Sequence, residues 1–347
     1  NSQGVYTIPI SAGSYTLTPQ NPNSDYFSIS PESVTIAFPD EASPYTQNFC
    51  LSPNGEFYDL EITLVPTVPA QPGFDAEYRL IYRNKGTETE SVSVDFNFND
   101  SLLDFVSASI TPNGVGIGNL NWENFELKPF EEKVIDIILN VNSPQEDPAV
   151  NNGDELIFSA SIGDMIPENM DETPGDNTAE LAQIVVGSFD PNDKTCLEGD
   201  NITVDMVGEY VTYLIRFENT GDYYAENIVV VDMIDLEKFE ISTLTPLQSS
   251  HEYVTRITEG NKVEFIFENI MLPGMPSEDR HGYVAFKIKT KETLQLDDSF
   301  SNTAAIYFDF NHPIITNEAV TTVTILNTAD FDFNTDISLY PNPTSGI

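Results

Sequence analysis

The residues best suited to chemistry are oxygen donors. Asp190, Asn192 and Asp193 sit in one short run, Ser188-Phe189-Asp190-Pro191-Asn192-Asp193-Lys194, directly after a strand-like segment at 179–186. Asp171, Asp176 and Asn177 precede that segment, and Asp309 lies in a later turn. Calcium takes about six to eight oxygens from carboxylates, amides and carbonyls and tolerates irregular geometry. These residues are therefore the candidate calcium ligands. A strand over 179–186 spans roughly 25 Å at about 3.3 Å per residue. One ion therefore cannot easily join Asp176 to Asp190, and the joint acids look instead to loops further on, such as Asp222 or the 309–311 turn. The competing reading is a plain turn with its shape fixed by Pro191 and its acids bonded to the backbone. The 171–177 stretch lacks the ligand spacing of an EF-hand loop.

Other chemistry is poorly supplied. His251, His281 and His312 are dispersed without zinc spacing. Cys50 and Cys196 have no histidine near them in sequence, and we expect both to be buried free thiols. Trp122, the single tryptophan, is expected in a core. Tyr223 and Tyr224 are adjacent, so on a strand they would face opposite ways and form no joint platform.

The elements that position these residues read as strands. Apolar residues make up 40% of the 347-residue chain, enough to build cores. Period-two alternation broken by Gly, Pro and Asn recurs throughout. In the first half it predicts strands at 58–65, 75–84, 91–98, 103–107, 133–141, 156–162 and 179–186. In the second it predicts strands at 210–217, 227–233, 263–267, 283–289, 303–310 and 319–326. Val134-Ile135-Asp136-Ile137-Ile138-Leu139 is β-branched and reads as strand, not helix.

The two halves repeat. Tyr82-Arg83-Asn84-Lys85-Gly86 matches Phe217-Glu218-Asn219-Thr220-Gly221, and Trp122, Leu127 and Pro129 match Phe267, Leu272 and Pro273. Asp154-Glu155-Leu156-Ile157-Phe158 matches Asp298-Ser299-Phe300-Ser301-Asn302 in the same order. The expectation is an all-β chain of tandem immunoglobulin-like β-sandwiches with a partial N-terminal β-module. Its boundaries read as a β-module at 1–52, one sandwich at 53–187, a joint at 188–199, a second sandwich at 200–326, a linker at 327–335 and a further domain opening at 336–347. The opening residues read as mid-domain, so we expect the C-terminal part of a longer exported chain.

Charge narrows the partners. There are 56 acidic against 14 basic residues, a net of −42, which argues against nucleic acid and against anionic membrane surfaces. No apolar stretch approaches the about 20 residues that a membrane-spanning helix needs.

Three stretches resemble known families. Leu339-Tyr340-Pro341-Asn342-Pro343-Thr344-Ser345-Gly346 resembles the start of the C-terminal sorting domain used by the type IX secretion system of Bacteroidota, with Pro341, Asn342, Pro343 and Gly346 as its motif. Residues 53–326 resemble the conserved-repeat β-sandwich modules that precede such signals, through Phe74-Asp75-Ala76, Asn84-Lys85-Gly86, the 188–194 run and Thr303-Ala304-Ala305-Ile306-Tyr307-Phe308-Asp309-Phe310-Asn311. Gly13-Ser14-Tyr15-Thr16-Leu17-Thr18-Pro19 resembles the closing strands of prealbumin-like or Cna-B-like modules. These resemblances imply a secreted, surface-attached stalk, adhesin-like, with no catalytic residues and with the type IX machinery as partner. A glycan- or protein-binding module is the second expectation, and a fibre subunit that self-associates by strand addition is the third.

Overall fold

The computed structural model describes residues 6, 8, 10–21, 23–166, 169–187, 191–277 and 279–325. Asp190, the expected linker and the sorting motif at Pro341, Asn342, Pro343 and Gly346 lie outside the described residues. The described chain is built of strands, with short 3-10 turns at Pro174–Asp176 and Val204–Met206. It divides into two compact units, Asn1–Gly187 and Ser188–Ile347.

The first unit opens with two small antiparallel ladders, Gly13–Leu17 on Val34–Phe38 and Phe27–Ser30 on Cys50–Pro53. They carry few fully buried side chains. Tyr26 stacks on Phe57 at 4.5 Å, and Phe27 meets Phe130 at 4.8 Å, which fastens this β-module to the sandwich after it. The rest of the unit is that two-layer sandwich. One sheet runs Leu60–Val68, Asp75–Asn84, Glu132–Val141, Leu103–Ala108. The other runs Thr178–Ile184, Glu155–Asp164, Glu90–Asn97, Asn119–Leu127, Gly114–Gly116.

Alternation decides which face of each strand is buried. In Glu132–Val141 the side chains of Ile135, Ile137, Leu139 and Val141 are buried between the sheets, while Asp136 stays outside and pairs with Arg79. Trp122 is fully buried in this core, and its Nε1 donates to the Ile110 carbonyl at 2.8 Å. Its burial and its hydrogen bond act together, because an indole N–H removed from water needs an acceptor.

The second unit repeats the plan with additions. Lys194–Cys196, Tyr210–Glu218, His281–Thr290 and Phe239–Ser249 form one sheet in the same order as the first. The opposite layer holds Val254–Thr258, Lys262–Phe267, Ile228–Met233 and Ala304–Phe308, edged by Ile314–Ile315. Beside it, Ser299–Asn302 pairs with Ala319–Thr324 in a sheet of its own. An added strand, Asn201–Thr203, runs parallel to Ala319–Thr324. The fold is all-β, with tandem immunoglobulin-like sandwiches, as the alternation and the internal repeat indicate. The core of the second unit is rich in aromatic rings, among them Tyr213, Phe217, Phe239, Phe265, Phe267 and Phe286.

The same lock recurs in both units. Asn84 Nδ2 donates to the carbonyls of Glu88 at 2.7 Å and Leu127 at 3.0 Å, and its Oδ1 accepts from Gly86 N at 2.8 Å. Asn219 Nδ2 donates to Tyr223 at 2.7 Å and Leu272 at 3.0 Å, and its Oδ1 accepts from Gly221 N at 3.0 Å. Each amide thus ties the end of a strand in one sheet to the chain beside the other sheet. Gly86 is needed for that turn, since a Cβ there would stand 2.4 Å from the Phe57 carbonyl oxygen.

Candidate functional site

The run after residue 190 leads through Pro191, Asn192 and Asp193 into the first strand of the second unit, Lys194–Cys196. Asn192 is buried, and its Oδ1 accepts from Glu218 N at 3.2 Å. Asp193 forms a two-point pair with Arg216, Nε to Oδ1 at 2.7 Å and Nη2 to Oδ2 at 2.5 Å. Charge-assisted bidentate pairs of this kind fix geometry as well as charge. Lys194, Thr195 and Cys196, read from the sequence as part of a joint, form a strand against Tyr213, Leu214 and Ile215. Asn192 and Asp193 thus meet Glu218 and Arg216 of the neighbouring strand Tyr210–Glu218, and Asp193 Oδ2 also accepts from Thr195 Oγ1 at 3.1 Å.

Lys194 is the unusual residue of the run. Its side chain is fully buried, and so is that of Asp232, with which it forms an ion-pair contact. The Lys194 Nζ lies 4.6 Å from the Tyr213 ring centre and 5.3 Å from that of Phe286. Asn302 Nδ2 donates to the same Asp232 Oδ2 at 3.4 Å. The other oxygen, Asp232 Oδ1, is buried with no hydrogen-bond partner among the described residues. The backbone of Lys194 is clamped from both sides by one amide, with Lys194 N donating to Asn317 Oδ1 and Asn317 Nδ2 donating to the Lys194 carbonyl, each at 2.9 Å. Burial pushes the Lys194 ammonium down and the Asp232 carboxyl up, so both are driven toward their neutral forms.

The other expected ligands lie apart from this cluster or are already partnered. In the first unit, Lys85 Nζ sits 2.9 Å from Asp59 Oδ1, 2.6 Å from Asp176 Oδ2 and 3.1 Å from Thr173 Oγ1. Against the pull of burial, Asp176 and Asp59 hold Lys85 above its ordinary value. An ammonium thus sits between the carboxylates of Asp59 and Asp176. Asp171 Oδ2 accepts from Leu60 N and its Oδ1 from Thr173 N, both at 2.8 Å. Asn177 Oδ1 is buried without a hydrogen-bond partner among the described residues. In the second unit, Asp309 Oδ1 accepts from Asn227 N at 2.8 Å and the residue adopts a positive φ of 51°. Among the described residues, no group of three or more His, Cys, Asp and Glu side chains is placed to hold a metal ion.

Beside these acids, Glu90 is buried, with Oε1 unpartnered among the described residues. Burial, then the charges of Asp164 and Asp171, push its carboxyl up to about 8. Both cysteines are free, Cys196 buried but Cys50 exposed, which corrects the expectation that both are buried. The rings of Tyr223 and Tyr224 stand edge to face at 5.7 Å in an exposed loop.

The sequence reading missed Asp232 and Asn302. A signal for Asp232 was present. In Ile228–Met233 alternate residues point inward, and Asp232 occupies the same face as Ile228 and Val230. An acid at an inward position of an apolar strand marks a buried partner.

No helix among the described residues is long and apolar enough to cross a membrane. No curated protein matches the chain. Among solved structures, the chain is similar to the CARDB domain of a Pyrococcus furiosus protein, crystallised with di-metal ions, at 20% identity and a TM-score of 0.26, over 38% of this chain and 90% of that one. It is similar to the Enterococcus faecalis adhesin ACE, described as binding its ligands by a collagen-hug mode, at 12% identity and a TM-score of 0.28, over 78% and 96%. The collagen adhesin of Staphylococcus aureus matches at 13% identity and a TM-score of 0.26, over 78% and 93%. Scores this low carry no argument about ligand or activity. By sequence, residues 190–322 match the model of a family described as a domain of unknown function, DUF7619.

Proposed function

We propose that this chain is a non-enzymatic spacer of a secreted, surface-attached, adhesin-like protein. The observation that carries the reading is the repeat itself. The same sandwich, with the same strand order and the same asparagine lock, is built twice in series, each copy with its own dry core. Series repetition of self-contained units adds reach, whereas a recognition site needs only one copy. The excess of acidic residues supports solubility outside the cell. Export by the type IX system is part of the proposal and rests on the resemblance of the 339–346 run.

The test is replacement. In the full secreted protein, residues 53–325 are exchanged for two unrelated β-sandwiches. Retained surface display and retained ligand capture support the spacer reading. Lost capture with intact display overturns it in favour of a glycan- or protein-binding module. For the export route, a reporter fused to the complete sorting domain should reach the surface only in cells with a working type IX system.

A further inference from the structure

Lys194, Asp232 and Asn302 meet in the core of the second unit, at places where the first unit holds hydrocarbon. Register establishes the correspondence. Lys194 pairs with Ile215, which stands four residues before Asn219; Leu64 pairs with Leu80, four residues before Asn84. Asp232 pairs with Ala304, and Phe96 pairs with Ala160 at the matching place in the repeat. Asn302 and Phe158 each precede that alanine by two residues. Leu64, Phe96 and Phe158 are all buried. The same architecture is therefore stable with an apolar trio, and a buried ion pair is seldom better for stability than well-packed hydrocarbon. The polar trio calls for a chemical reason.

We propose that Lys194 and Asn302 condense into an intramolecular isopeptide bond, with Asp232 as the acid–base group between them. The geometry supplies each requirement. Both Lys194 Nζ and Asn302 Nδ2 contact the same oxygen, Asp232 Oδ2. Nζ is enclosed by Tyr213 and Phe286, which keeps water from competing. Asn317 fixes the lysine backbone. Burial favours the neutral amine, the nucleophilic form, and the protonated acid.

The step balances without a co-reactant. The Nζ lone pair attacks Asn302 Cγ and a C–N bond forms. Asp232 takes a proton from Nζ and delivers one to Nδ2. The Cγ–Nδ2 bond breaks, and its electron pair leaves with ammonia. No group is oxidised or reduced. The product amide offers an N–H donor and a carbonyl acceptor to the Asp232 acid, so the carboxyl oxygen that lacks a partner gains one. Asn302 is the electrophile because Asp232, as the shared neighbour, must carry the proton.

The experiment is intact-mass spectrometry of the denatured full chain, followed by proteolysis. This proposal stands apart from the spacer reading, and its readout is a mass. The expected result is a chain lighter than its sequence by one ammonia, with a branched peptide joining Lys194 to residue 302. The Asp232→Ala and Asn302→Ala variants should show the full mass. A wild-type chain of full mass overturns the proposal, whether or not the variants fold. So does loss of one water with Lys194 joined to Asp232, or loss of ammonia without the branched peptide. A soluble Asp232→Ala chain that still carries the bond overturns the role given to Asp232.

Discussion

Removing the asparagine lock should show how much of each sandwich rests on one side chain. Asn84 is 1% exposed and makes three hydrogen bonds, two as donor and one as acceptor. In Asn84→Ala those bonds vanish, and the Leu127 carbonyl keeps its place between the sheets with no amide to meet it. At about 1 kcal/mol per bond the loss is about 3 kcal/mol. For a unit of this size that lowers the melting temperature by about 6–12 °C. Asn84→Asp is the sharper variant. At neutral pH it puts a carboxylate against the Glu88 and Leu127 carbonyls, so it should cost at least as much as alanine despite its shape. Lowering the pH protonates the carboxyl and returns one donor, so its deficit should shrink in acid. Urea unfolding followed by Trp122 emission reads the first unit alone, because the chain has one tryptophan. Asn219→Ala should give a similar loss in the second unit, read by calorimetry. Alanine variants within about 0.5 kcal/mol of the parent would refute the reasoning, since surface substitutions do no more than that.

The remaining predictions concern charge and packing. Glu90 binds its proton more tightly in the fold than in the unfolded chain, so its contribution is present at low pH and lost as pH rises from its ordinary value of 4.5 toward about 8. The urea midpoint of the first unit should fall across that window, and Glu90→Gln should flatten the fall. Trp122→Phe removes the donor to Ile110 and leaves a gap, costing about 2–3 kcal/mol by circular dichroism melts. Chelation by EDTA should leave the melting temperature unchanged, because Lys85 and Arg216 already meet Asp176 and Asp193. A rise of several degrees on adding calcium would show that the joint acids complete a metal site.

Strands with one wet and one dry face were legible almost to the residue, as Asp75–Asn84 shows. Its alternation is what a half-buried strand needs. Phe239–Ser249 was not legible. It is an edge strand of Ser, Thr and Pro whose register on His281–Thr290 shifts twice, so it carries no clean period. The hairpin of Gly114–Gly116 and Asn119–Leu127 was hidden by Gly and Asn, although Trp122 and Leu127 were recognised as repeat markers. The acids were legible as oxygen donors but not as partners. Lys85 finds Asp176, and Arg216 finds Asp193, only once distant strands are paired. Asp232 needed only the inward face of its own strand to be read, whereas the meeting of Lys194 with Asn302 required the register of both sheets.

The parallel pairing of Asn201–Thr203 with Ala319–Thr324 sets how the second unit answers tension. Its rungs are Asn201 with Thr322, Ile202 with Val323 and Thr203 with Thr324. One strand lies near the entry of the chain into the unit and the other near its exit. A pull along the chain therefore drags these strands past each other in shear. In that geometry the rungs must yield together, whereas antiparallel neighbours pulled from one end open like a zipper, rung by rung. Until Lys194 and Asn302 are joined, the load passes through this short parallel ladder; once they are joined, the bond carries it past Asn201–Thr203, which lies inside the closed loop.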